Sequence, residues 1–137
     1  MIKRYSQPDS LILDPFAGSA TTNIEALLSG RHSVGVDVDP FARLLAKVKT
    51  TPLDKDELNK VTEKLLRKLV AYKSKLVDKK DIPDFHYRDS WFNREILLEL
   101  SYIKKLISEL DTDKDIIDFC KICLSSIIRS VSNADDN

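Results

Sequence analysis

The stretch that most constrains this chain is Asp14-Pro15-Phe16-Ala17-Gly18-Ser19-Ala20-Thr21-Thr22, which follows the apolar triplet Leu11-Ile12-Leu13. A short apolar run that stops at Asp-Pro reads as a buried strand of a parallel sheet. The small residues after it form a tight turn, and Thr21–Ser29 carries a helical pattern with Ile24, Leu27 and Leu28 on one face. Gly30 suits the C-terminal cap of that helix. Val34-Gly35-Val36-Asp37-Val38 reads as a second strand. Strand, turn, helix and strand within about 30 residues make a βαβ unit, which almost always crosses over right-handed.

Beyond this unit the character changes. Asp39-Pro40 opens a helix over Phe41–Lys49, with Leu44, Leu45 and Val48 apolar. After Pro52, Asp54 and Glu57 have the spacing of a capping box, and Leu58, Val61, Leu65, Leu69 and Tyr72 form a helical stripe. Residues 60–80 hold eight Lys/Arg against two acids, a local charge of +6. Residues 78–90 read as a connector. Trp91–Leu110 is amphipathic, with Ile96, Leu100, Ile103, Ile107 and Leu110 on one side, and Asp113–Val131 is apolar almost all round and so expected to be buried. The expected domains are a βαβ portion over 1–52 and a compact helical portion over 53–137.

Composition removes several classes. The 137 residues balance 22 Lys+Arg with 22 Asp+Glu, so net charge gives no argument for nucleic-acid binding. No run approaches the ~18 apolar residues of a membrane span. The first ten residues lack the apolar core of a secretory signal. Two cysteines do not make a disulfide scaffold, so the expected compartment is a reducing cytoplasm.

The turn carries the chemistry. Small residues let backbone approach a ligand closely, and a helix N-terminus offers unpaired N–H groups and a positive dipole end to an anion. Familiar labels fit badly. No lysine occurs between Arg4 and Lys47, which excludes a Walker loop, and the turn has one glycine where a dinucleotide fingerprint needs three. Ser19 does not stand between spaced glycines as a nucleophile elbow requires. Asp37, nineteen positions after Gly18, is placed to accept hydrogen bonds from ribose hydroxyls. Turn and acid together favour a nucleoside with an anionic end. A plain strand-to-helix turn, with Asp37 as a strand-end residue, is the competing reading; Asp39 is the better helix cap.

Asp-Pro-Phe-x-Gly-Ser-x-Thr-Thr, Gly30-Arg31 and Val34-Gly35-Val36-Asp37-Val38-Asp39-Pro40 resemble the cofactor half of amino-group DNA methyltransferases. These transfer a methyl group from S-adenosylmethionine to adenine N6 or cytosine N4. The resemblance implies an α/β fold: a partial Rossmann-like βαβ unit followed by an all-helical segment. It implies that Asp14, Pro15, Phe16, Ala17 and Gly18 line the methionine end of S-adenosylmethionine, with Ser19 and Thr21 also among the cofactor-binding residues. Phe16 would pack near the sulfonium or adenine, Asp37 would hold the ribose, and Val38 would belong to the cofactor-binding set. The chain departs from the family at Ala20, where the family usually has a third-position glycine. Ile82-Pro83, Tyr87, Trp91-Phe92 and residues 125–133 resemble the helical insertion of one microbial branch.

The family's catalytic motif, Ser/Asn/Asp-Pro-Pro-aromatic, holds the exocyclic amine and stacks on the flipped base. The prolines here are 8, 15, 40, 52 and 83, none adjacent, and residues 1–10 show no aromatic segment of the family's kind. No catalytic residue is assigned. The chain therefore resembles an internal or split portion, expected to meet DNA through a complete enzyme of restriction–modification type. It would work with a missing catalytic portion or as a homo-oligomer, and with no membrane. A non-enzymatic remnant that keeps the fold without the cofactor, or another nucleotide-binding βαβ protein, are the alternatives. Cys120 and Cys123 sit inside an apolar helix and read as buried small residues rather than metal ligands; His86 reads as a loop residue. The basic run is either a solvated helix face or a track for phosphates.

Overall fold

The computed structural model describes residues 1–73 and 77–133. Lys75 of the basic run and the last four residues lie outside them. The chain divides into two units, Met1–Pro52 and Leu53–Asn137.

In the first unit, α1 (Ile2–Tyr5) precedes β1 (Leu11–Asp14), α2 (Thr21–Leu28), β2 (His32–Gly35) and α3 (Pro40–Thr50). The strands pair in parallel, Leu11 with His32 through Asp14 with Gly35. This β1–α2–β2 order is a βαβ unit. The second strand starts two residues earlier than its apolar content predicts and ends at Gly35 rather than Val38. Its partner sets these limits. Val36 N–H still donates to the Asp14 carbonyl at 2.8 Å, but β1 stops there. Pro15 has no N–H to extend the ladder, and Asp37 and Val38 run on outside it.

Helix α2 ends where glycine allows. Gly30 takes φ +69, Gly30 N–H donates to the Leu27 carbonyl at 3.1 Å, and Arg31 N–H reaches the Ala26 carbonyl at 2.9 Å. These bonds make a Schellman cap. The helix buries Asn23 and Ala26, whereas Leu27 and Leu28, predicted for the inner face, are exposed. Close packing explains the difference. A Cβ on Gly35 would lie 3.0 Å from both the Ala17 Cβ and the Asn23 amide, so helix and strand meet through small residues. Asn23 Nδ2 donates to Ser33 Oγ of β2 at 3.1 Å. The other alternation of the sheet is open: Leu11, Leu13 and Val34 are 67%, 65% and 46% exposed.

The second unit holds α4 (Lys55–Val70), a 3₁₀ turn at Lys79–Asp81, α5 (Arg88–Trp91), α6 (Arg94–Ser108), α7 (Lys114–Ile128) and a 3₁₀ turn at Arg129–Val131. Asp54 caps α4 by accepting from Glu57 N–H at 2.8 Å. The Glu57 carboxylate accepts from Thr112 Oγ1 at 2.8 Å, so the capping pair also ties α4 to the loop before α7. Helix α6 begins at Arg94, because Trp91 closes the separate short helix α5 and Phe92 is extended. Its buried residues are Leu97, Ser101, Tyr102, Leu106 and Ile107. Of the predicted stripe only Ile107 is among them. The Tyr102 ring lies 5.0 Å from Tyr72, which rotates the inner face toward residues 97, 101 and 102. Helix α7 is not sealed: Ile116 and Asp118 are buried, while Ile127 and Ile128 are exposed. No helix among the described residues is long and apolar enough to cross a membrane.

Candidate functional site

Asp14 ends β1, and its Oδ1 accepts from Phe16 N–H at 3.1 Å. That bond turns the chain out of the sheet at Pro15. Ala17 N–H donates to the Val36 carbonyl at 2.9 Å, and Ala17 is buried. Gly18 takes φ +47, and a Cβ there would have only the Phe16 carbonyl oxygen near it, at 3.8 Å. The outer side of the turn is therefore open. Phe16 is 87% exposed, and Ser19 is exposed as well. Ser19 Oγ and Thr21 Oγ1 stand 3.1 Å apart across the start of α2.

Asp37 closes the turn from the other side. Its Oδ2 accepts from Gly18 N–H at 2.8 Å and its Oδ1 from Asp39 N–H at 2.9 Å. Those backbone donors, Asp39 first and then Gly18, hold its carboxyl below the ordinary aspartate range. Each carboxylate oxygen keeps a further lone pair for a ligand hydroxyl. Val38, beside it, is 96% exposed. Asp39 caps α3 by accepting from Phe41 N–H at 2.8 Å, with Pro40 in the first turn.

The start of α2 differs. Its N-cap is Ala20, in the left-handed region at φ 65 and ψ 25, with no side-chain cap and no acid in the first turn. Aspartates cap α3, α4 and α7 by side-chain bonds. The α2 amides are thus free of a cap from their own N-cap side chain, and the positive dipole end faces an open turn. Ala20 is fully buried, so its methyl group occupies none of that open side.

Three residues matter that the sequence reading did not assign. Ala20 stands in the left-handed backbone conformation that usually selects glycine. Helical spacing from Ala20 places Asn23 on the inner face, and among the described residues its Oδ1 has no hydrogen-bond partner. Lys49 Nζ donates to the Ser19 carbonyl at 2.9 Å, and nothing local in the sequence signals that reach.

A cavity of about 760 Å³ opens between α1 and α2, with Tyr5, Ile12, Thr21 and Glu25 in its wall. Thr21 is the only predicted site residue that borders it. The turn and Asp37 form their own surface beside it. In the other unit the cysteines are not the buried residues expected: Cys120 is half-buried and Cys123 exposed. Partial desolvation still raises both thiols, which disfavours reactive thiolate.

Residues 1–48 match a protein-family model described as DNA methylase. The chain is 32% identical over 130 residues to the type II methyltransferase M.MvaI of Kocuria varians, covering 92% of this chain and 28% of that protein. It is 31% identical over 114 residues to the type II methyltransferase M.MjaII of Methanocaldococcus jannaschii, covering 83% of this chain and 21% of that protein. It is 50% identical to M.ScaI of Streptomyces caespitosus over 38 residues, 28% of this chain and 12% of that protein. The chain belongs to the amino-group DNA methyltransferase family. It spans between a fifth and a third of the length of the first two relatives. No solved structure matches it.

Proposed function

We propose that residues 1–52 are the S-adenosylmethionine-binding portion of a DNA methyltransferase that acts on an exocyclic amine of adenine or cytosine. The portion is Rossmann-like in its β1–α2–β2 core. The observation that carries the reading is the bond from Gly18 N–H to Asp37, which joins the family's turn to its acid in one open site.

The donor set fits the cofactor. When bound, S-adenosylmethionine supplies a methyl group activated on a sulfonium. Asp37 accepts the ribose hydroxyls with the lone pairs its two backbone bonds leave. The first amides of α2 hold the methionine carboxylate, aided by the helix dipole. Phe16 and Val38 offer exposed apolar surface to the adenine and the sulfonium end. Asp14, Pro15, Ala17, Ser19 and Thr21 shape the backbone that presents these groups.

No Pro-Pro-aromatic segment occurs in the chain, so the amine-holding groups come from further polypeptide, and DNA is met through that complete enzyme. Membership in a restriction–modification pair follows the type II names of the relatives. The open face at Leu11, Leu13 and Val34 supports association with that polypeptide or with a second copy. Calorimetric titration with S-adenosylmethionine, and competition with NAD and ATP, tests the reading. Saturable binding that neither competitor displaces supports it. A preference for NAD or ATP favours a different nucleotide-binding βαβ protein, and no binding to any favours a remnant.

A further inference from the structure

Lys49 lies in the last turn of α3, thirty positions beyond the residue it touches. Its ammonium donates to the Ser19 carbonyl at 2.9 Å. That carbonyl belongs to the residue between two left-handed neighbours, Gly18 at φ +47 and Ala20 at φ +65. An L-residue in that region is held against its own preference, and it persists only where surrounding bonds over-determine the backbone. Three bonds do so here. Gly18 N–H is held by Asp37 at 2.8 Å, Ala20 N–H by the Ala17 carbonyl at 2.7 Å, and the Ser19 carbonyl by Lys49. Two of these anchor amide donors. The third anchors the acceptor between them, from a separate helix.

The placement also has an electrostatic side. A carbonyl oxygen close to a helix N-terminus opposes the approach of an anion, and an ammonium bonded to it offsets that partial charge. A lysine in the last turn of α3 also complements that helix's own dipole, so the side chain is favoured where it stands.

We infer that Lys49 is a positioning residue, which holds the Gly18–Ala20 turn through the Ser19 carbonyl and keeps the start of α2 ready for an anionic ligand. Its effect on affinity rests on the cofactor reading above; its effect on turn order does not. The full chain is therefore examined without ligand and with it. Amide exchange at Gly18 and Ala20 is measured for the wild type, Lys49→Met and Lys49→Arg, with thermal unfolding recorded for each. S-adenosylmethionine is then titrated into all three. Lys49→Met is expected to speed exchange at both amides by about fivefold or more, with the unfolding temperature moved by less than about 3 °C. It weakens binding by roughly 5- to 20-fold. Lys49→Arg keeps the charge and a donor, and returns both readouts to within about twofold of wild type. Unchanged exchange in Lys49→Met overturns the positioning role. Unchanged affinity beside a wild type that binds overturns its bearing on the ligand. A wild type that binds nothing counts against the cofactor reading, while the exchange measurement still decides whether Lys49 holds the turn.

Discussion

The backbone N–H of Gly18 donates to Oδ2 of Asp37 at 2.8 Å, across nineteen residues of sequence. One carboxylate thus binds the turn after β1 to the segment after β2, and its other oxygen holds Asp39 N–H at the mouth of α3. Three segments share one anionic pin.

That pin sets a pH dependence. The carboxyl of Asp37 is held below its ordinary value of 3.8, chiefly by the amides of Asp39 and Gly18. A depressed folded value means its contribution is complete above the unfolded aspartate range and is lost as pH falls through the folded value. The Gly18 amide resonance is expected to titrate with a midpoint below 3.8 and to be flat from pH 5 upward. A midpoint above 3.8 contradicts the bond.

Ala20 tests the backbone of the turn. It is fully buried with φ 65, so a β-branched side chain meets both a disfavoured conformation and a filled interior. Ala20→Val should destabilise the first unit by about 3 kcal/mol. Ala20→Gly relieves the conformation while losing one buried methyl group, and should stay within about 1 kcal/mol of wild type. Denaturant unfolding measures both, and equal stability of the two variants would sink the account of this position.

Gly18 tests the same turn from its open side. Nothing but the Phe16 carbonyl lies near a Cβ there, yet φ +47 excludes a branched residue without a change of backbone. Gly18→Val is expected to abolish S-adenosylmethionine binding while the helical unit keeps its circular-dichroism signal. A variant that binds normally shows that this turn is not the binding loop.

The open sheet face predicts association. Two strands with Leu11, Leu13 and Val34 exposed leave apolar surface and free edges, which invite another chain. Light scattering over a tenfold dilution is expected to show a species heavier than the monomer at the concentrated end. A monodisperse 15.6 kDa particle throughout contradicts this.

The sequence discloses the βαβ unit because its punctuation is local. Leu11-Ile12-Leu13 ends at a proline, Gly30 closes α2, and Asp39-Pro40 and Asp54 announce the next two helices. Facing surfaces are less legible. In α2 the leucines are more hydrophobic than Asn23 and Ala26, but only small residues admit the close approach to Gly35. In β2 the valines mark the apolar run, while register against β1 decides which residues pair. The inner face of α6 depends on the contact between Tyr102 and Tyr72, which lies just past the end of α4. Within the candidate site, Gly18 and Asp37 are readable because their spacing is a motif. The reach of Lys49 to Ser19 joins residues that no short pattern links.

The central claim is that Gly18 and Asp37 together form a site for S-adenosylmethionine. Isothermal titration of the wild type and Asp37→Ala under identical conditions tests it most directly. Removing the carboxylate takes away the ribose acceptor and frees the Gly18 amide, so the wild type should bind saturably and the variant roughly 10- to 100-fold more weakly. A dissociation constant unchanged by Asp37→Ala, or a wild type that takes up no S-adenosylmethionine, would contradict it.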